Sequence, residues 1–352
     1  MASIKEIAKQ AGTSPSTVSR VLNNPEYKCS NPKLRDKIYR AVRELDYVPN
    51  NAARNLKMGI NQDCSSTYYI NVLMTRTDTS QTDPFFKELL RVIETEIHKQ
   101  ACILSRIWYM PLFSDDKRCK RENLDQIITE MYEENASPVN GLIIIGKCNM
   151  TALKKLNRQF KNVVSINRNS TNYEVDEVIC DGRKVAEMAV QYLIDLGYDE
   201  LGYVGNCHNE ARYRGFMGTL EKNNIDIEPE YIIETRQTEA EGYKAMEHFL
   251  KQEDAPDGIY CANDITAVGM LKCLNKHKRS NYNPAIISSD DIEEAQIMKP
   301  LLTTVRLPKE EMGKFALYLL FDRINGGHNS VVRMELEGKL MIRESCHASL
   351  KP

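Results

Sequence analysis

The sequence predicts two structural units: a small all-α head with a helix-turn-helix and a hinge helix, and a larger α/β body with two parallel sheets. Three observations support this division. The first 46 residues carry helical periodicity, residues from Tyr69 onward alternate between strand-like and helical segments, and the two regions differ in charge. Residues 1–60 hold eleven Lys or Arg and five Asp or Glu, a net charge of +6, which leaves −8 on the rest of a chain whose total is −2. A basic head on an acidic body points to a nucleic-acid partner for the head.

The first helix is predicted by apolar residues spaced at i, i+3, i+4 and i+7, namely Ile4, Ile7, Ala8 and Ala11. Gly12 is expected to end it, because glycine readily takes the left-handed conformation that closes a helix. A second helix would then follow after a short turn, which is the pattern of a helix-turn-helix.

The second helix is predicted to start at Pro15, capped by Ser14, because a proline in the first turn loses no hydrogen bond. Its apolar residues Val18, Val21 and Leu22 can dock on the neighbouring helices. The outward residues are small or polar, as a helix lying in a DNA major groove requires. They are Pro15, Ser16, Ser19 and Arg20.

A third helix is expected after Ser30, and Pro49 would stop it. Its apolar face holds Leu34, Ile38, Ala41, Val42 and Leu45. Asn50 can cap a short following helix that exposes Ala53 and Leu56 together. A helix of two turns is not stable alone in water, because nucleation is costly, so this hinge helix needs a partner to form.

These segments resemble a known family. SIKEIAKQAGTSPSTVSRVLN (residues 3–23) followed by YVPNNAARNLKMG (residues 47–59) is similar to the start of the LacI and GalR family of bacterial transcriptional regulators, with patches of similarity as far as Arg343–Cys346. The resemblance implies a helix-turn-helix DNA-binding domain at 1–48, a hinge helix and linker at 49–60, and an effector-binding and dimerisation domain at 61–352. In that family the hinge helix orders on DNA and inserts a leucine into the minor groove, and Leu56 is the matching residue. Such a wedge unstacks one base step and bends the DNA, which permits further contacts.

The partner implied for the head is a double-stranded DNA operator of near-palindromic sequence, bound by a homodimer. Ser16 and Arg20 would reach the major groove, and the Leu56 pair would bend the centre. The complete set of predicted DNA-binding residues is Ser14, Pro15, Ser16, Thr17, Ser19, Arg20, Asn23, Asn50, Ala53, Arg54 and Leu56.

In the body, strand-like segments alternate with helical ones, which predicts parallel sheets covered by helices. The strand signals lie at 69–74, 103–109, 141–145, 163–166, near 178, 201–204, 258–261 and 285–288, and helical stretches at 84–100, 184–196 and 265–276. This number of strands requires two sheets.

Polar residues follow several of these strands, at the edge where open α/β sheets bind ligands. Asn167, Asn263 and Asp290 each come directly after a strand, and Arg212 lies in the motif Arg-Tyr-Arg-Gly-Phe216. One such residue alone is more often a helix cap than a ligand contact. Several of them converging on one crevice would indicate a binding site.

The resemblance supplies that convergence, because it implies a periplasmic-binding-protein-like body whose two subdomains close on a small molecule. One subdomain would comprise about 61–166 plus 298–328, and the other 167–297 plus 329–352. The implied effector-binding residues are Asp83, Phe85, Phe86, Asn167, Arg212, Asn263 and Asp290.

Two positions depart from the family pattern. Asn167 stands where most members have Asp, and Gln237 stands where relatives often place an aromatic platform, so that Phe85, Phe86 or Trp108 would have to supply the stacking surface. Amides, carboxylates and a guanidinium hydrogen-bond hydroxyl groups, which favours a mono- or disaccharide effector, with a galactoside-like sugar as the specific hypothesis. The alternatives are a purine- or phosphosugar-responsive regulator, or a sugar-binding protein or sugar-acting enzyme without a DNA function.

Other function classes find little support. The ten cysteines form no CxxC pair and the six histidines show no metal-binding spacing, so neither a metal site nor a cofactor is expected. Gly141–Cys148 nearly matches the P-loop motif. However, its four middle residues are apolar and strand-like, and Cys148 replaces the Ser or Thr that would hold magnesium. No local motif suggests a catalytic set.

Assembly and location are also expected from the sequence. No apolar run approaches the roughly 18 residues of a membrane helix and the N-terminus lacks the apolar core of a signal peptide, so a location in the bacterial cytoplasm, on the nucleoid, is expected. The tail after Cys346 has no leucine heptads, so a dimer is expected rather than a tetramer.

Overall fold

The computed structural model describes residues 3–23, 27, 32–45, 47, 68–76, 83–100, 102–135, 138–277 and 282–346. The head contains three helices, α1 (Ile4–Ala11), α2 (Pro15–Asn23) and α3 (Pro32–Glu44). The hinge helix predicted around Asn50–Leu56 lies outside the described residues.

Local capping fixes the ends of α1 and the start of α2. The Ser3 hydroxyl accepts from the Glu6 backbone N–H at 3.3 Å, and the Glu6 carboxylate accepts from the Ser3 N–H at 2.6 Å, which forms a capping box. Gly12 closes the helix with a φ of 69°, and the Ser14 hydroxyl accepts from the Thr17 N–H at 3.1 Å. The predicted helix-turn-helix is confirmed.

Apolar residues from all three helices form the core of the head, as the periodicity predicted. The buried members are Ile7, Ala8, Ala11, Val18, Val21, Leu22, Ile38, Tyr39 and Ala41. Such a small core stabilises only a small domain, because the buried apolar area is limited.

The body alternates strands and helices. Its first part contains β1 (Tyr69–Met74), α4 (Pro84–Lys99), β2 (Ile103–Tyr109), α5 (Asp116–Arg121), α6 (Leu124–Glu133), β3 (Gly141–Ile145), α7 (Met150–Phe160), β4 (Val163–Asn167) and β5 (Asp176–Ile179). Its second part contains α8 (Gly182–Asp195), β6 (Leu201–Gly205), α9 (Ala211–Lys222), β7 (Ile232–Glu234), α10 (Glu239–Phe249), β8 (Gly258–Cys261), α11 (Asp264–Lys276), β9 (Ala285–Asp290), β10 (Thr303–Arg306), α12 (Lys309–Ile324), β11 (Arg333–Glu335) and β12 (Lys339–Met341).

Two six-stranded sheets organise these elements. The first has the order β11-β5-β4-β3-β1-β2 with all neighbours parallel, and the second has the order β12-β10-β9-β8-β6-β7 with only β12 antiparallel. The predicted fold class of two parallel-sheet subdomains is therefore confirmed. Among the described residues, no helix is long and apolar enough to cross a membrane.

The sheet membership corrects the predicted exchange points between the subdomains. The sequence placed 167–297 and 329–352 in the second unit, but β5 pairs with β4 in the first sheet and β11 pairs with β5. Conversely, β10 pairs with β9 in the second sheet although 298–328 was assigned to the first unit. The chain therefore passes between the sheets after β5, between β10 and α12, and between β11 and β12.

Helix α12 returns to cover the first sheet. It packs on α4 and on β3, β4 and β5, and a Cβ on Gly141 of β3 would lie 2.6 Å from Leu320 Cδ1. The segment from α12 to β11 is tied to β5 by the buried carboxylate of Asp176. This carboxylate accepts from Arg323 Nη2 at 2.6 Å and from the Val332 N–H at 2.8 Å, and it lies 2.9 Å from His328 Nε2.

Helices α10 and α11 pack backbone to backbone. A Cβ on Gly242 would lie 2.0 Å from the carbonyl oxygen of Thr266, and one on Gly269 would lie 2.0 Å from that of Glu239. Only glycine permits this approach at both positions. The contact fixes the first turn of α11, which begins next to Asn263.

Candidate functional sites

Helix α2 presents a polar outer surface on the head. Ser14, Pro15, Ser16 and Arg20 are exposed, and Thr17 and Ser19 are partly exposed. The Ser14 hydroxyl also lies 2.8 Å from the hydroxyls of Ser16 and Thr17. The short polar side chains predicted to contact DNA therefore share one accessible face.

The other predicted DNA-binding residues are Asn23 and four residues of the hinge segment. Asn23 ends α2. Asn50, Ala53, Arg54 and Leu56 lie outside the described residues. Their role stays a prediction.

The head rests on α4 of the body through α3. The Tyr39 hydroxyl lies 2.8 Å from the Thr95 hydroxyl, and Arg43 forms an ion pair with Glu94, whose side chain is only 8% exposed. Burial raises the pKa of Glu94, against the opposing effect of the Arg43 charge. No pattern in the sequence of the head predicts this contact.

The seven residues predicted to bind the effector lie around one crevice between the two sheets. Phe85, Phe86, Asn167 and Arg212 line it directly. The other three are connected to it by contacts. Asp290 pairs with Arg168, which lines the crevice. Asn263 Nδ2 donates to Asp83 Oδ2 at 3.2 Å and to the carbonyl of Gln237 at 3.3 Å, and the Gln237 side chain accepts from Arg76, which also lines the crevice. The crevice contains about 360 Å³ of empty space, part of it open to solvent.

Arg168 joins the two walls of the crevice. Its guanidinium lies 4.1 Å from the ring centroid of Phe85, and it forms the buried ion pair with Asp290 at the end of β9. Asn167, in contrast, turns its amide oxygen toward the backbone N–H of Arg168 at 2.7 Å. Trp108 lies away from the crevice, in a separate core beside Phe160, so it does not supply the missing aromatic platform.

Arg212 starts α9 and pairs with the helix cap Glu210. Arg212 Nε donates to Glu210 Oε1 at 2.9 Å, and both side chains are 3% exposed. Burial alone would raise the pKa of Glu210, but the neighbouring guanidinium groups outweigh it and lower that pKa to about 2. The pair therefore stays ionised at neutral pH and holds the Arg212 guanidinium in place.

Several polar atoms at this crevice have no hydrogen-bond partner among the described residues. They are Arg168 Nε, Gln237 Nε2 and Asp290 Oδ2, all on side chains that are at least 90% buried. A buried polar atom without a hydrogen-bond partner costs folding free energy, so the crevice would favour a bound ligand that supplies the missing partners. The crevice is thus built for a polar molecule.

The backbone at the crevice is also strained. Gln237, Asp290 and Asp291 have φ angles of 65°, 134° and 51°, which non-glycine residues rarely adopt. Asp291 points away from the crevice and pairs with Arg306 and Arg343. Of the two adjacent aspartates, Asp290, the one that the sequence analysis names as an effector-binding residue, pairs with Arg168.

Four charged residues of the crevice were not predicted to bind the effector: Arg76, Lys147, Arg168 and Glu210. A signal did exist, since Arg76, Lys147 and Arg168 all follow predicted strands in the sequence. Their alignment depends on which strands are neighbours, and only the folded sheet reveals this order. Among the described residues, no cluster of His, Cys, Asp and Glu could hold a metal ion.

Comparison with protein families identifies both parts of the chain. Residues 3–50 match the model of the bacterial regulatory proteins of the lacI family, and residues 190–346 match the model of a periplasmic binding protein-like domain. These matches cover the helix-turn-helix and most of the second subdomain.

Curated relatives are similar along their whole length. The chain is 26% identical over 354 residues to the HTH-type transcriptional repressor PurR of Mannheimia succiniciproducens, with 98% of each chain covered. It is 28% identical over 363 residues to the HTH-type transcriptional repressor MelR of Bacillus subtilis, with 100% of this chain and 99% of the relative covered.

Solved structures share the fold. A complex of the transcriptional regulator CelR with cellobiose has a TM-score of 0.66 at 20% identity and covers 98% of this chain and 100% of its own. A lac repressor dimer bound to operator and an anti-inducer has a TM-score of 0.65 at 19% identity, with 98% of each chain covered.

Proposed function

Because the chain belongs to the lacI family of bacterial regulatory proteins, we propose that it is a DNA-binding transcriptional repressor controlled by a small-molecule effector. The observation that carries this proposal is the combination of an exposed polar face on α2 with a polar crevice between two sheets. An enzyme would need a catalytic set, and a free binding protein would not need the head.

The head would bind operator DNA through α2. Ser16 and Arg20 are both exposed. The short side chain of Ser16 and the flexible side chain of Arg20 can reach base edges or phosphates in a major groove. A homodimer would place two such helices in successive grooves of a near-palindromic operator. Leu56 of the hinge helix would then wedge the minor groove between them.

The crevice would bind a sugar-type effector. Phe85 lines the crevice beneath the Arg168 guanidinium, and Asn263, Arg212 and Asp290 carry planar groups that hydrogen-bond hydroxyls. Ligand binding would change the angle between the sheets and so the spacing of the two heads. A coupling free energy of about 1–3 kcal/mol would change operator affinity roughly 5- to 150-fold.

DNase footprinting of the full chain on the DNA upstream of its own gene tests this proposal, with Arg20→Ala as the DNA-contact variant. We expect a protected, near-palindromic site whose affinity falls in Arg20→Ala and does not change in Arg158→Ala, an exposed arginine of α7. Absence of any protected site, with or without sugars and purines, would contradict a regulator of this kind.

A further inference from the structure

Three adjacent strands of the first sheet end in cations at equivalent positions. Met74 of β1 pairs with Ile145 of β3, and Ile145 pairs with Ile166 of β4. The register continues one residue further, since the Thr75 N–H donates to the Ile145 carbonyl at 3.1 Å and the Gly146 N–H to the Ile166 carbonyl at 2.9 Å. On each of the three chain segments, the residue after this position is positively charged.

These residues, Arg76, Lys147 and Arg168, form what we call the cationic row. All three line the effector crevice at the carboxyl ends of their strands. Gly146, next to Lys147, has a φ of 101°, and a Cβ there would lie 2.8 Å from both Thr75 Oγ1 and Arg76 Cγ. The glycine therefore lets the ends of β1 and β3 approach each other closely.

The charges of the crevice do not balance. Arg212 is neutralised by Glu210, and Arg168 by Asp290. Among the described residues, neither Arg76 nor Lys147 has a carboxylate within 4 Å. Arg76 Nη2 donates to the neutral Gln237 Oε1 at 2.6 Å, and Lys147 Nζ donates to the backbone carbonyl of His208 at 3.2 Å.

Burial makes these two charges costly. It lowers the pKa of Arg76 and of Lys147, because the desolvation of each charged group outweighs the opposing effect of the Glu210 carboxylate. A neutral sugar would leave this cost in place. A ligand with about two negative charges would remove it, and a phosphate monoester carries about −1.5 to −2 at pH 7.

We propose that the effector is a phosphorylated sugar, whose phosphate binds to the cationic row and whose ring lies against Phe85. The proposal rests on the proposed function and specifies its ligand class. Arg76 and Lys147 supply the charge, and Arg168 supplies its unpartnered Nε. Of the nearby carboxylates, Glu210 is paired with Arg212, and Asp83 accepts from Asn263.

The first test measures the thermal stability of the full chain in phosphate and in chloride at equal ionic strength. Inorganic phosphate should raise the melting temperature with a saturable dependence on concentration. The double variant Arg76→Gln/Lys147→Gln should lose this effect, whereas Lys154→Gln, an exposed lysine of α7, should keep it. Equal melting temperatures of the wild-type chain in both salts would overturn the proposal.

The second test distinguishes a free phosphate from a phosphosugar. Calorimetric titration compares glucose with glucose 6-phosphate, galactose with galactose 1-phosphate, fructose with fructose 6-phosphate, and each with inorganic phosphate. We expect one sugar phosphate to bind at least tenfold more tightly than both its sugar and phosphate alone, and to lose at least tenfold in Lys147→Gln. Two results would contradict the proposal. One is that inorganic phosphate binds as tightly as every sugar phosphate, and the other is that a neutral sugar binds as tightly as its phosphate.

The two proposals can fail separately. Footprinting without any ligand tests DNA binding and does not involve the cationic row. If the chain protects an operator but phosphate and the sugar phosphates have no effect, only the ligand class is wrong. If no operator is protected but the sugar phosphate binds, the regulatory function fails and the crevice chemistry stands.

Discussion

The buried ion pair of Glu210 and Arg212 should contribute measurably to stability. The pKa of Glu210 falls from its ordinary value of 4.5 to about 2 in the folded chain. At about 1.4 kcal/mol per pH unit, this difference corresponds to about 3 kcal/mol of folding free energy at pH 7. Arg212→Met should remove most of that contribution, because it leaves a carboxylate buried at 3% exposure without its partner.

The pH dependence follows from the sign of this change. Because the carboxyl is more acidic when folded, its contribution is complete above pH 4.5 and declines as the pH falls toward 2. The stability difference between the wild-type chain and Arg212→Met should therefore be largest at neutral pH and should narrow below pH 4.5.

Urea denaturation followed by circular dichroism at pH 7 and pH 3.5 measures both effects. The set comprises Glu210→Gln, Arg212→Met, the double variant, and the exposed Arg158→Met as a control expected within about 0.5 kcal/mol of wild type. The double variant should lose roughly 3 kcal/mol less than the two single variants together. Additive losses would refute the reasoning, since they would mean that the two residues stabilise the fold independently.

Three further predictions concern packing, pH and the head. Gly242→Ala should destabilise the chain by about 1–3 kcal/mol because its Cβ has no room, whereas Gly218→Ala, on the exposed face of α9, should be neutral or stabilising in the same thermal melts. The pKa of His328 is raised mainly by its hydrogen bond to Asp322, so the stabilisation from protonated His328 is complete below pH 6.5 and is lost as the pH rises through the raised value. In denaturation curves at a series of pH values, His328→Gln should abolish this decline in stability. An unchanged decline in the variant would mean that other groups cause it. Arg43→Met should free the head from α4 and speed its removal by protease several-fold, unlike the matched change at the exposed Arg40; equal cleavage rates would show that the ion pair does not hold the head.

The head could be predicted from the sequence because its signals are local. The spacing of Ile4, Ile7 and Ala8, the stop at Gly12 and the proline at position 15 all act within a few residues. Local signals of this kind determine a helix wherever it packs.

Part of the crevice was predictable for a similar reason. Asn167 and Asp290 end their strands, Asn263 comes two residues after its strand, and the family motif adds Arg212. The cationic row was not predictable, because its alignment depends on β1, β3 and β4 being neighbours in that order. Register and strand order arise from contacts between residues far apart in the chain, and no local pattern encodes them.

The same reason explains the misplaced subdomain boundaries. β11 is three residues long and half-buried, so its sequence contains no strand signal of useful length. It joins the first sheet because the Asp176 carboxylate anchors the segment before it through Arg323 and the Val332 N–H. This tertiary contact overrides the weak local preference.

The interleaved chain path has a consequence for synthesis on the ribosome. Five strands of the first sheet are complete at Ile179, but α12, which covers β3, β4 and β5, ends only at Ile324. At about 5–20 residues per second, roughly 7–30 s pass between these two points. During that interval the nascent first subdomain exposes an apolar sheet face, so a chaperone that binds such faces should associate with ribosomes translating the second half of the message.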